Sequence, residues 1–290
     1  MAQSAEEAIA YQTWYAANSQ NMQEKAVETA QAYLAQFPNG QYAAYLKSWL
    51  LESKLRAFGA AVQAKNTEEM IRAGREILKA DPEHLGVYYS LAFNLRRFEL
   101  SASPASFAHA KEAAEFAASG IKLIEAGKTI AGGQFDKNAS LALLYQIQAM
   151  VATNAKENQK AIELFEKSLA ADPGNAAIGT YNLLSLASLY REPYGSAVNA
   201  YQALPEADRQ AAEPSAEVKA ALEAMYASAD PLINSWARFV ALARARGVAA
   251  DTEEQVLASV QAVYSARYGG DTSGLEPLIQ KLQAEYAPKK

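Results

Sequence analysis

The sequence predicts an all-α protein, an array of antiparallel helix pairs that ends in divergent C-terminal helices. Three observations carry this reading. Apolar residues recur at helical spacing in one segment after another: Tyr42, Tyr45, Leu46, Trp49 and Leu50 fall on the i, i+3, i+4, i+7, i+8 stripe of a buried helix face. Prolines close helical stretches at comparable intervals, with 44 residues from Pro38 to Pro82 and 91, about two such steps, from Pro82 to Pro173. No segment carries the alternating, β-branched pattern of a strand.

The elements follow in order. A first pair spans about Ala5–Asn18 and Met22–Gln36 and ends at Phe37-Pro38-Asn39-Gly40. The next helix begins near Gln41 and runs to about Ala64, after which Asn66-Thr67-Glu68-Glu69 supplies a cap and acidic first-turn residues. That helix stops at Lys79-Ala80-Asp81-Pro82, and Leu85–Leu100 makes another. Pro104 can open a helix that runs through Phe107, Ala110, Ala114 and Ala117 to about Ala126, with Gly127, Gly132 and Gly133 in the loop beyond. Ala139–Asn154 pairs with Asn158–Ala171, and Ala177–Arg191 pairs with Tyr194–Leu204. A polar, Pro-bearing linker from Pro205 to Pro214 then leads to helices at Ser215–Ser228, Pro231–Arg246, Thr252–Tyr268 and Leu275–Glu285. Their boundaries are Pro231 at a helix start, Gly247 behind Arg244 and Arg246, an Asp251-Thr252-Glu253-Glu254 cap, and a Gly269-Gly270 stop. The expected division is residues 1–204 as repeats and 205–290 as divergent repeats with a capping helix.

Composition narrows the function. Half of the 290 residues are hydrophobic and a fifth are charged, which fits a well-cored soluble chain. A net charge of -5 offers no broad attraction to phosphate backbones, so nucleic acid is not an expected partner. Zero Cys excludes disulfides and thiolate metal sites, and no apolar run reaches the length of a membrane span. The opening Met1-Ala2-Gln3-Ser4 has no basic, apolar leader, which leaves a cytoplasmic chain or a mature chain whose signal was removed; absent thiols favour the extracytoplasmic alternative.

The run from Ala161 to Pro173 carries a resemblance. A small residue at Ala161, an aromatic at Phe165 and a proline at Pro173 match the second helix of a tetratricopeptide repeat (TPR), and Tyr181, Leu184, Ser185, Tyr194, Ala197 and Tyr201 match the signature of the following unit. The likeness is strongest over 139–204 and looser over 5–82. Ala30 and Gly74 stand where an aromatic is expected, Met70 where alanine is, and Gln148 where leucine is. The turn Gln36-Phe37-Pro38-Asn39-Gly40-Gln41-Tyr42 is similar to that of bacterial cell-envelope repeat proteins, and so is the tail Tyr264–Leu275. The resemblance implies a right-handed α-solenoid that binds a protein or peptide on its concave face. It implies that first helices line that face, which gives Tyr11 and Tyr15, then Gln146, Met150, Thr153 and Asn154, and then Asn182, Leu186, Leu189 and Tyr190 as partner-binding candidates. Tyr15, Met150 and Leu186 also fit a core role, and Asn154 and Asn182 a solvated face or helix end.

No catalytic constellation stands out. Gly127-Lys128-Thr129 has Lys122 where a phosphate loop needs glycine, and helical text where it needs a strand, so a helix C-cap reads better. His84 and His109 lack partners at metal-ligand spacing, and Gly132-Gly133-Gln134 reads as a turn. Glu112 with Glu115, and Glu253 with Glu254, are ordinary helix-surface carboxylates, and Asn138-Ala139-Ser140 is a short acceptor match. The sequence therefore points to a non-enzymatic scaffold without cofactor or metal. The alternative is a carrier holding a small apolar ligand among Trp49, Tyr88, Leu91 and Phe98. The 16 Tyr and 3 Trp suit either a groove or a pocket lining. On this register, Asn182→Ala should weaken partner binding yet leave the melting temperature almost unchanged. Far-ultraviolet circular dichroism should show an almost wholly helical spectrum; substantial sheet signal would contradict the fold class.

Overall fold

The computed structural model describes residues 4–130 and 135–287, and its regular structure there is all-helical, with successive helices packed in pairs. Gly132-Gly133-Gln134, read above as a turn, and Met1–Gln3 lie outside the described residues. The chain divides into two compact units, Met1–Pro104 and Ala105–Lys290.

In the first unit, α1 (Ala5–Ser19) pairs with α2 (Gln23–Gln36), and α3 (Ala43–Gln63) pairs with α4 (Thr67–Ala80). Ser4 and Asn66 cap α1 and α4 by accepting from the amides of Glu7 and Glu69, each satisfying one amide that a helix start leaves unpaired. α5 (Leu85–Leu95) continues into a π-helical turn over Arg96–Leu100. It starts at His84, whose Nδ1 accepts from the Val87 amide, so this histidine is a cap. α5 also answers a departure noted in the sequence. A Cβ on Gly74 would lie 2.8 Å from Leu91 Cδ1, so the space left by the expected aromatic on α4 is filled from α5.

The second unit begins with α6 (Ala110–Glu125), six residues after Pro104. The predicted helix start at Pro104 is thus corrected; Ser101–His109 forms turns and irregular structure. α6 ends as read, with Gly127 at φ +86° just past its C-cap. α7 (Lys137–Asn154) and α8 (Asn158–Ala171) form the predicted pair, and Phe165 is wholly buried between α8 and its neighbours.

Two predicted breaks are absent. α9 runs unbroken from Ala176 to Gln202 through Pro193, and α11 from Ala216 to Arg246 through Pro231. A proline inside a helix removes one hydrogen bond and crowds the preceding turn, at a cost of about 3 kcal/mol. Here packing outweighs that cost. α11 lies antiparallel along α9, since Gly179 abuts Leu242 and Arg191 sits 5.5 Å from the Trp236 ring. Ala237 and Phe239 through Ala243 are buried on every side, the mark of a central helix. A one-turn helix, α10 (Glu206–Arg209), lies in the connection between them.

α12 (Ala250–Arg267) and α13 (Leu275–Tyr286) pack on the far half of α11. Arg244 ties the three together by pairing with Glu253 on α12 and Glu276 on α13, each at 2.9 Å. Gly247 and Gly269-Gly270 stop α11 and α12 with positive φ, as predicted. The predicted Asp251–Glu254 cap is shifted: α12 starts at Ala250, with Ala249 at φ +55° before it. One core runs from Ala149 on α7 to Tyr286 on α13, so the expected boundary at 204/205 falls inside a single core. Phe165→Ala should cost about 3–5 kcal/mol through the cavity it leaves. Urea melts measure this, and a loss below about 1 kcal/mol would mean that α8 does not anchor the unit.

Candidate functional site: a tyrosine face on the first helix pairs

The aromatic face starts from a buried carboxylate. Glu7 of α1 is 8% exposed and accepts from the Tyr33 hydroxyl and from the Gln41 amide, both at 2.5 Å. The Tyr33 oxygen in turn accepts from the Tyr42 amide at 3.1 Å. The turn between α2 and α3 is thereby bound to the first turn of α1. Only glycine fits at position 40, where a Cβ would crowd the Glu7 carboxylate and stand 2.7 Å from the Tyr33 oxygen. The Phe-Pro-Asn-Gly-Gln-Tyr turn singled out in the sequence is therefore built around Glu7, a residue that the sequence reading passed over.

That knot places Tyr42 against Tyr11. The two rings stack at 3.7 Å between centroids, with planes 14° apart. One turn along α1, Trp14 is buried and touches four further rings: Tyr11 at 5.3 Å, Tyr15 at 6.4 Å, Tyr45 at 5.6 Å and Trp49 at 5.3 Å. Its planes with Tyr45 and Trp49 stand at 81° and 80°, the edge-to-face arrangement that aromatic quadrupoles favour. The Trp14 Nε1–H is buried and has no hydrogen-bond acceptor among the described residues. Above this base, Tyr15 and Tyr45 remain 54% and 52% exposed. The Tyr11 hydroxyl is held above its ordinary pKa by burial first, and then by the neighbouring Tyr45, Tyr42 and Tyr15 phenols. Four tyrosines from two helix pairs thus share one face.

The other predicted positions divide sharply. Gln146 and Asn182 are wholly buried. Gln146 Nε2 donates to Asn182 Oδ1 at 2.8 Å, Asn182 Nδ2 donates to Ser168 Oγ at 2.8 Å, and Ser168 Oγ donates to the Ala142 carbonyl at 2.6 Å. This chain of amides and hydroxyl stitches α7, α8 and α9 together inside the core. Asn182 therefore faces neighbouring helices and not a groove, which corrects its expected orientation; both ends of its buried amide are bonded within the protein, as is usual for buried polar groups. Met150 and Leu186 are core residues, and Leu189 and Tyr190 pack half-buried against the same core. Tyr190 is held above its ordinary pKa by burial, and then by Glu166, whose carboxylate is bonded to Arg238. Thr153 and Asn154 are exposed at the end of α7, with Thr153 Oγ1 donating to its own helix at Ala149. Of the apolar-ligand lining, Trp49 and Leu91 are core, packed on Trp14 and against Gly74.

No family model matches this sequence, and no curated protein matches it. Among solved structures, the chain is similar to the crystal structure of MamA protein at 14% identity, covering 75% of this chain and 94% of that one, with a TM-score of 0.37. It is also similar to a human IFIT1 dimer with m7Gppp-AAAA at 13% identity, covering 97% of this chain and 68% of that one, with a TM-score of 0.23.

Two outcomes are expected. Asn182→Ala should destabilise the fold by about 1–3 kcal/mol, because Gln146 Nε2 and Ser168 Oγ lose a buried partner. A melt unchanged from the parent protein would contradict the network. Stability should also fall as pH rises above about 10. Burial raises the folded-state pKa of Tyr11, Tyr33 and Tyr194, and of Tyr145 to about 12. Below the unfolded tyrosine pKa both states keep the proton and stability is whole; above it the unfolded chain loses protons first and gains. Melting temperatures flat from pH 9 to pH 11.5 would contradict this account.

Proposed function

We propose that the chain is a non-enzymatic protein- or peptide-binding scaffold whose contact surface is the tyrosine face of α1 and α3. The carrying observation is that half-exposed Tyr15 and Tyr45 both lie against Trp14, on a base formed with Trp49 and the stacked Tyr11 and Tyr42. Rigid aromatic area with polar tips binds at low entropic cost, and the hydroxyls can pair with backbone groups of an extended segment. What gathers here is contact surface, with no nucleophile set beside a base, so recognition suits it better than catalysis. Extended segments containing proline are the ligand class that such aromatic faces suit, because they arrive already ordered. In the second unit Thr153 and Asn154 are the predicted contact residues open to solvent, and we assign them a secondary contact. Absent thiols and the envelope-like turn at 37–42 support residence outside the cytoplasm.

The test is selection from a displayed random-peptide library against the whole chain. Enriched peptides should bind the parent protein and lose about tenfold or more in affinity with the Tyr15→Ser, Tyr45→Ser double variant, whose melting temperature should stay close to the parent value. Peptides that bind the variant as tightly as the parent would overturn the assignment of the face.

A further inference from the structure

A second site lies on another side of α3. At 100° per residue, Tyr45 and Trp49 share one side of this helix, whereas Lys47, Leu51 and Lys54 share the opposite one. There α2, α3 and the end of α4 border an open cleft of about 540 Å³, with Leu34, Leu50 and Leu51 in its lining. This volume suits a small ligand. Lys47 and Lys54 line it, and among the described residues each ammonium donates to a neutral backbone oxygen, Pro38 O at 3.4 Å and Glu76 O at 3.1 Å.

The charges at the two ends of the cleft differ. α3 and α4 run antiparallel across a short connection, and Lys54 reaches Glu76, so Asp81 falls about a turn and a half away, toward Ser48 and Lys47. Asp81 thus puts a carboxylate at the Lys47 end of the cleft. Behind Lys54, outside the lining of the cleft, the Glu76 carboxylate is held below its ordinary pKa by its bond to Lys79 first, and then by the Lys54 and Arg72 charges. Of the charged side chains that line the cleft, Lys47, Lys54 and Asp81, Lys54 is the one at the end away from Asp81.

We infer that this cleft binds a small amphiphilic monocarboxylate, with its carboxylate on Lys54 and its apolar chain on Leu50, Leu51 and Leu34. Charge complementarity selects an anion at the Lys54 end, and Asp81 disfavours a second anion at the other. The site is independent of the tyrosine face, so either assignment can fail without the other.

Calorimetric titration of the full chain with decanoate, kept below its micelle concentration, tests this, with 1-decanol, decanedioate and decyltrimethylammonium as comparators. Decanoate should bind one to one; decanol and decanedioate should each bind about tenfold or more weakly, and the cation should show no saturable heat. Lys54→Gln should weaken decanoate by about tenfold while leaving decanol binding unchanged. Leu51→Asp should abolish both, with circular dichroism confirming that each variant stays helical. If Lys54→Gln unfolds, Lys54→Arg replaces it and should retain decanoate binding. Equal binding of decanol and decanoate, a preference for decanedioate, an unaffected Lys54→Gln, or no decanoate heat at all would overturn the assignment.

Discussion

One buried carboxylate, Glu7, organises the first unit. It accepts from the Tyr33 hydroxyl and from the Gln41 amide, and so ties α1, α2 and the turn before α3 at a single oxygen. A carboxylate buried to this degree would be costly without those donors, and the donors would be unpaired without it. Each partner therefore requires the others, which is why Gly40 has no room for a side chain and why Tyr42 arrives in register to stack on Tyr11. The tyrosine face is a consequence of this knot: remove it, and the ends of α1 and α3 lose their common reference.

The second unit solves the same problem by different means. Its two longest helices, α9 and α11, each carry an internal proline and stay continuous because they bury each other and because α12 and α13 close over α11. Inside that apolar packing runs a line of polar side chains from Gln146 through Asn182 and Ser168 to the Ala142 carbonyl. Such a line adds little net stability beyond what apolar residues would give. It fixes the relative register of α7, α8 and α9, because a shift along any axis would leave several buried groups unbonded at once. The partly buried Arg238 with Glu166 and Tyr286, and Arg244 with Glu253 and Glu276, do the corresponding work between α11 and its outer neighbours.

Most of the helices were legible in the sequence because their signals are local. Asn66, Gly247 and the Ala161–Pro173 run act within a turn or two, and each sits where it was read. The errors share another origin. Pro193 and Pro231 are strong local stop signals, overridden by packing between segments more than 30 residues apart. Asn182 was misplaced because a polar residue on a helix reads as solvent-facing unless its partners are known, and Ser168 and Gln146 lie 14 and 36 residues away. Of the site, Tyr11 and Tyr15 were identified through the repeat resemblance, whereas Tyr42 and Tyr45 were read only as a core stripe. Their place beside Tyr11 depends on the Glu7 bond to Gln41, which no spacing rule contains.

The central claim is that Glu7 and Tyr33 hold the α2–α3 turn and so build the tyrosine face. Hydrogen exchange followed by mass spectrometry on Tyr33→Phe, which keeps the ring and deletes the hydroxyl, tests it most directly. The account predicts that peptides covering 37–46 exchange faster in the variant, because the Tyr42 amide loses its acceptor and the turn its tether, while peptides from α7 through α9 exchange as in the parent protein. Protection over 37–46 equal to that of the parent protein would contradict it.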